Sequence, residues 1–261
     1  SDKYLGASSL VIKGAEASGV GFTKVLVPET IAKSIWQIAP EVVVEGHLDI
    51  SKDGNAILHD SLKRINFNNF ESIVIGPGIG VDFIDWEKSL GYFIDFKGIL
   101  ILDADALNRI ARSKTGCKFF LDRKYQTWIT PHLNEFQRLF PEINEKNNIE
   151  LALRAAQEFN ISVLLKGSHS IIAEEKGTVW QLYETDDASA RAGFGDLLSG
   201  FISGMAALEI SSGAKITTES LAKYAFIHSY AAHSCPSGSS ASIIGIELSK
   251  LAREIKTGQM S

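Results

Sequence analysis

The sequence predicts an α/β protein built on an open, mainly parallel sheet with helices on both faces and an antiparallel margin. Three observations carry that prediction. Short apolar runs alternate with helical patterns through most of the chain, as in stacked βαβ units. Four of these runs end in loops bearing Gly, Asp or Lys, and open α/β sheets bind ligands at the carboxyl ends of their strands. Late in the chain a glycine-rich turn, Gly193-Phe194-Gly195-Asp196, opens a long apolar helix.

Composition bounds the reading. With 261 residues, 45% of them apolar, the chain can bury a full core. Charged residues are 22%, the formal net charge is -5 and no Lys/Arg block occurs, so no nucleic-acid partner is expected. Cys117 and Cys235 have neither zinc spacing nor disulfide-scaffold density, and read as reduced thiols of a cytoplasmic protein. Neither a membrane span nor a signal peptide is visible.

Taken in order, Tyr4-Leu5-Gly6-Ala7 leads into a helix from Ser8 to Ser18, weakened by Gly14 and ended by Gly19 to Gly21. Thr23 to Val27 is a strand stopped by Pro28. A helix feeding a strand is half of a βαβ unit, so a further strand is expected ahead of it; otherwise an apolar sheet edge needs cover. Glu29 to Ile38 reads as a helix, Glu41 to Val44 as a strand, Asp53-Gly54 as a turn and Asn55 to Asn69 as a helix. Ser72 to Ile75 is a buried strand that breaks at Gly76-Pro77-Gly78-Ile79-Gly80. That spacing is not the GxGxxG dinucleotide pattern, and both ligand contact and a simple turn fit it.

A second buried strand, Gly98 to Leu102, runs into Asp103-Ala104-Asp105-Ala106-Leu107-Asn108, whose carboxylates either cap a helix from Ala104 to Arg112 or face a ligand or metal ion. The strand Thr127 to Ile129 leads to Thr130-Pro131-His132-Leu133-Asn134-Glu135, with Pro131 and Glu135 expected in the first turns of a helix. His132 is either a substrate contact or an ordinary helix residue. Asn147 to Phe159 forms an amphipathic helix with Ile149, Leu153 and Ala156 on one side. The strand Ile161 to Leu165 ends at Lys166-Gly167-Ser168-His169-Ser170, which suits a phosphate chain or a ribose, or leaves Lys166 as a solvated lysine. Ser170 to Glu174 and Thr178 to Leu182 form a hairpin, the antiparallel margin.

The helix opened by the glycine turn runs to Glu209, and Gly200 and Gly204 permit close helix packing along it. Thr217 to Ala232 and Ser240 to Glu254 are the last helices, with His228 and His233 as structural residues. At the turn itself, two glycines in three residues gather bare N–H groups at a helix start, a place that attracts an anion. Asp196 is either a cap or a base that takes a proton from a hydroxyl attacking a bound phosphoryl group.

Together these pieces resemble the ADP/ATP-dependent NAD(P)H-hydrate dehydratase family of the ribokinase-like superfamily. The matching stretches are Tyr4 to Ala7, Gly76 to Gly80, Asp103 to Asn108, Thr130 to His132 with Glu135, Leu165 to Gly167, and Gly193 to Asp196, in the family's order and over nearly the whole chain. The resemblance implies a single ribokinase-like domain over residues 1–261, with its first strand lying ahead of the chain. It implies phosphorylation of the hydrate of NADH or NADPH by ADP or ATP, with magnesium as companion ion, then loss of phosphate to restore the reduced dinucleotide. It further implies Asp196 as the base, Ala7, Gly78 and His132 with Asp196 at the hydrated dinucleotide, and Lys166, Gly167, Ser168, His169, Ser170, Gly193 and Gly195 at the nucleotide. No metal ligand is assigned, and a homo-oligomer is implied.

The sequence departs from the family at Phe194, where a small hydroxyl residue is usual, at Arg191, at Thr185 to Ala188 and at Ile243. A benzyl side chain at 194 is expected to crowd the phosphate. Two alternatives therefore stand beside the dehydratase: a ribokinase-like kinase of a small vitamin precursor, and a catalytically weakened nucleotide-binding protein.

Overall fold

The computed structural model describes residues 4–81, 85–183 and 191–257. Its elements follow in chain order: α1 (Leu5–Ser18), β1 (Lys24–Val27), α2 (Glu29–Ile38), β2 (Val43–His47), β3 (Asp49–Ile50), β4 (Ala56–Ile57), α3 (His59–Leu62), β5 (Ser72–Ile75), α4 (Trp86–Gly91), β6 (Ile99–Leu102) and α5 (Asp105–Arg112). After these come α6 (Lys118–Asp122), β7 (Thr127–Ile129), α7 (Leu133–Leu139), α8 (Asn148–Phe159), β8 (Ser162–Leu165), β9 (Ile171–Ala173), β10 (Val179–Gln181), α9 (Phe194–Ser211), α10 (Thr218–Ser234) and α11 (Ala241–Thr257).

Six strands form the central sheet in the order β10-β9-β8-β7-β6-β5. β5 to β8 are parallel, and β9 and β10 return antiparallel as the expected margin. Strand periodicity explains why the sheet must be covered twice. Leu100 and Leu102 of β6 enter one core with Ile129, Val163 and Phe136, whereas Ile99 and Ile101 enter another with Trp128, Leu164 and Phe201. Side chains two apart share a face, so an apolar run with no polar alternation needs helices on both sides.

On one face α9 packs against α1 at backbone distance. A Cβ on Gly14 would lie 2.1 Å from the Leu197 carbonyl oxygen, and one on Gly200 would lie 1.9 Å from that of Val11. Gly200 and Gly204 therefore serve packing, as expected, and Gly14 is part of the same contact.

Several expectations are corrected. The helix expected over Asn55 to Asn69 is broken: Ala56–Ile57 pair with Asp49–Ile50, α3 spans one turn, and a 3-10 turn follows at Phe67–Asn69. Strand pairing takes the first residues, and Asn66 Oδ1 accepts from the Asn68 N–H at 3.2 Å, capping the last turn separately. The strand expected at Glu41 begins at Val43. α8 buries Leu151, Ala152, Ala155 and Ala156; of the expected row Ala156 is buried and Leu153 packs partly buried against the core, but Ile149 is 39% exposed. His233 is exposed. α4 and α6, short and without strong periodicity, have no counterpart in the sequence-based reading.

β1 and β2 form their own parallel pair, and β1 is not paired with β5. A cavity of about 290 Å³ adjoins both strands, lined by Val25, Val27, Ile73, Ile75, Ile12 and Gly204 among others. No helix among the described residues is long and apolar enough to cross a membrane.

Candidate active site

Four parallel strands point their carboxyl ends at one region. The β5 end turns through Gly76, Gly78 and Gly80, all with positive φ. A Cβ on Gly76 would meet the Asp103 carbonyl oxygen at 1.7 Å, and one on Gly78 would lie 3.0 Å from Ala7 Cβ. Ala7 and Gly78 are therefore neighbours, although 71 positions apart in the numbering.

Buried Arg109 holds this loop in shape. Its Nε donates to the Gly80 carbonyl at 2.7 Å, and its Nη2 donates to the carbonyls of Ala56 at 2.8 Å and Ile79 at 2.9 Å. Asp105 completes the clamp, its Oδ2 accepting from the Gly80 N–H at 2.8 Å. Thus Asp105 shapes the loop, and the N-cap of α5 is Ala104 without a side-chain cap. Ala104 has φ +48°, a backbone region costly for a residue with a Cβ.

β7 ends at Thr130 and Pro131, and here the expected helix start is corrected. Pro131 precedes α7, and His132 is its N-cap. His132 Nδ1 accepts from the N–H groups of Asn134 at 3.2 Å and Glu135 at 3.3 Å, while the Glu135 carboxylate accepts from the His132 N–H at 2.9 Å. This capping box fixes the imidazole at the rim, where the side chain is 47% exposed. A bridge to Lys166 sets His132 beside the end of β8. Asn134 is exposed.

Lys166 turns inward, with Nζ donating to Asp103 Oδ1 at 2.8 Å. It is not the solvated lysine that local sequence also allowed. Beyond it Gly167, Ser168 and His169 are exposed, with the His169 ring near that of Tyr183, and Ser170 Oγ bonds back to the Gly167 backbone.

Gly193, with φ +80°, is the N-cap of α9, and a Cβ there would strike Leu10 of α1 at 2.2 Å. The Phe194 N–H is taken by Arg191 O, and that of Leu197 by Gly193 O. The N–H groups of Gly195 and Asp196 have no acceptor among the described residues, and they face the site with the positive end of the helix. The Arg191 guanidinium donates to the Ser239 carbonyl, pinning the turn to the loop before α11. Residues 185–188, where another departure from the family pattern falls, lie outside the described residues.

The expected crowding by Phe194 is corrected. Its ring centroid lies 4.0 Å from that of His228 on α10, and the side chain packs into the core beneath α9. Only its backbone belongs to the turn's mouth. Asp196 is the acid of that turn, with its pKa pushed up to about 6, first by burial and then by the Asp103 carboxylate, against the opposing pull of Lys166.

Burial pushes His228 down to about 3 from an ordinary 6.5. The unfolded histidine takes a proton as pH falls through 6.5 and the folded one does not, so acid favours unfolding across the interval between 6.5 and 3. Asp196 acts in the opposite sense below about pH 6, because the folded state protonates it first. In an Asp196→Asn background, urea unfolding should therefore show a loss of about 2 kcal/mol between pH 7 and pH 5 that vanishes in His228→Leu.

Glycine turn, helix start and carboxylate at the open ends of a mainly parallel sheet define a ribokinase-like α/β protein. A ribokinase-like superfamily protein from Enterococcus faecalis has the same fold, with TM-score 0.79 at 22% identity, covering 97% of this chain and 84% of that one. The chain belongs to the NAD(P)H-hydrate dehydratase family, whose model matches residues 1–256.

It is 34% identical over 207 residues to the bifunctional NAD(P)H-hydrate repair enzyme Nnr of Synechocystis sp., covering 79% of this chain but 38% of that protein. It is 33% identical over 238 residues to the ADP-dependent (S)-NAD(P)H-hydrate dehydratase of Nitrosopumilus maritimus, covering 87% of this chain and 76% of that one. The fold also matches the ADP/ATP-dependent NAD(P)H-hydrate dehydratase of Bacillus subtilis co-crystallised with ATP and Mg²⁺, with TM-score 0.77 at 23% identity, covering 97% of this chain and 86% of that one.

Sequence reasoning missed Ser199, whose Oγ donates to Asp103 Oδ2 at 2.6 Å, and the Arg109 clamp. Both act through tertiary contacts with residues distant in the chain, and nothing local marks either of them.

Proposed function

We propose that this chain restores hydrated NADH or NADPH, using ADP or ATP to convert the ring hydroxyl into a phosphate ester that then eliminates. One observation carries the reading: the Asp196 carboxylate shares the first turn of α9 with two N–H groups that have no acceptor among the described residues, and lies near the Lys166 ammonium. Asp196 would take the hydroxyl proton while that oxygen attacks the terminal phosphorus and the anhydride bond breaks. The N–H groups of Gly195 and Asp196 would stabilise the charge on the phosphoryl oxygens. In the second step the ring nitrogen's electron pair assists cleavage of the carbon–oxygen bond, phosphate leaves with the bonding pair, and the adjacent carbon loses a proton to re-form the double bond.

The nucleotide would lie along Lys166 to Ser170 toward Gly193 and Gly195, with the hydrated ring between Ala7, Gly78 and His132. Magnesium fits this site as a companion of the phosphates. No group of three or more His, Cys, Asp or Glu side chains converges among the described residues, and Asp103 and Asp105 are already engaged, which leaves the phosphates and water as its ligands. The same reading places the protein in the cytoplasm as a homo-oligomer, with free thiols at Cys117 and Cys235 and with Phe226 and Tyr230 exposed together on α10.

The test is the fate of the phosphoryl group. With hydrated NADH, the expected result is one inorganic phosphate released per nucleotide consumed and no lasting phosphorylated ring. A stable phosphorylated small product would instead identify a kinase.

A further inference from the structure

Asp103 leaves β6 at the centre of the site and is 1% exposed. A carboxylate so buried is costly unless its oxygens are matched. Here both are. Oδ1 accepts from Lys166 Nζ at 2.8 Å and from the Ala104 N–H at 2.9 Å, and Oδ2 accepts from Ser199 Oγ at 2.6 Å. Ser199 stands on α9 three residues after Asp196, so one helix carries both the acid of the site and the hydroxyl that anchors Asp103. Lys166 arrives from β8 on the other side. A Cβ on Gly195 would lie 3.3 Å from its Nζ, so the ammonium rests close over the first turn of α9. An ammonium has three N–H donors, and a single carboxylate oxygen does not exhaust them.

From this geometry we infer that Asp103 is a positioning residue for phosphoryl transfer: locked by Ser199, it holds the Lys166 ammonium over the α9 turn, where Lys166 touches the phosphoryl group in transit. The inference rests on the phosphoryl-transfer reading above and moves Lys166 from holding the nucleotide to acting on the transferred group. The charged groups around Asp196 are Asp103, Lys166 and Asp105, and Glu135 stands across Lys166. Buried His228, lying under the Phe194 ring, stays neutral at working pH.

A kinetic cycle on the full protein tests the assignment with ATP, Mg²⁺ and hydrated NADH. Asp103→Asn should lower kcat about 100-fold, the cost of roughly an ångström of misplacement, while KM for ATP changes less than about threefold. Lys166→Met should lose at least as much. The double variant should lose no more than Lys166→Met alone, because Asp103 acts through that ammonium. Additive losses, or a rise in KM at unchanged kcat, would overturn the inference. If Asp103→Asn does not fold, Ser199→Ala in its place should lower kcat several-fold in the Lys166 protein and have no effect on kcat in Lys166→Met; equal effects in both would overturn it.

A carboxyl NMR titration of Asp196 needs no turnover and separates the two readings. Its midpoint should fall in Asp103→Asn and rise in Lys166→Met. Those shifts in a protein that never consumes nucleotide would defeat the dehydratase reading and leave the linked Asp103–Lys166–Asp196 arrangement standing. Unchanged midpoints would defeat the arrangement itself.

Discussion

Asp196→Asn should lower nucleotide-dependent recovery of reduced dinucleotide by about 10²- to 10⁴-fold, the range that a positioned general base supplies. Asn keeps the shape of the side chain and cannot accept the proton. The fold should not suffer. Asp196 carries its charge in a site that raises its pKa to about 6, so neutralising it removes an unfavourable burial, and the variant should be more stable than the parent by on the order of 1–3 kcal/mol at pH 8. The gain shrinks as pH falls, since the parent's own protonation relieves the same strain below about pH 6. The pH profile follows from the same group. Only the ionised carboxylate can act as base, so kcat/KM should fall tenfold per pH unit below about pH 6 and level off above it. Steady-state rates from pH 5 to 8, with urea unfolding of both proteins, check these outcomes together. A variant that keeps its rate would remove Asp196 from the chemistry.

Gly76→Ala should have the largest effect of any single methyl group near the site. The position has φ +133°, which side-chain-bearing residues rarely adopt, and the added carbon would lie 1.7 Å from the Asp103 carbonyl oxygen and 3.0 Å from Ala106 Cβ. One neighbour is a backbone atom just past β6 and the other a core atom of α5, so relief requires the strand ends to separate. Overpacking costs about 1–3 kcal/mol and the backbone conformation about 1–3 more, a large part of a domain's net stability. Thermal unfolding should show a fall in Tm of several degrees at least. Because Asp103 holds Lys166, activity should fall by more than the loss of folded protein explains, measured at a temperature where the variant remains folded.

The parts of this molecule legible in sequence were those governed by local chemistry. Ile99 to Leu102 announced a strand buried on both faces, and the glycines at 193 and 195 announced a helix start open to an anion. The broken segment from Asn55 to Asn69 was not legible, because Ala56 and Ile57 are claimed by Asp49 and Ile50 and by the Arg109 guanidinium, none of which a local pattern contains. Phe194 shows the same limit inside the site. In sequence it stands between two glycines of a phosphate-type loop, but its direction is set by the depression over His228 on a helix more than thirty positions later. Asp103 could be seen as a carboxylate at a strand end; that it joins Lys166 to Ser199 depends on how β8 and α9 converge on it.

Recovery of the reduced-nicotinamide absorbance tests the central claim most directly. Purified protein is given chemically hydrated NADH and Mg²⁺, with ADP, ATP or no nucleotide, beside Asp196→Asn under the same conditions. The account predicts recovery with at least one nucleotide, none without, and near-complete loss in the variant. Absorbance that stays flat with both nucleotides in a folded wild-type protein, or that recovers equally in Asp196→Asn, would contradict it.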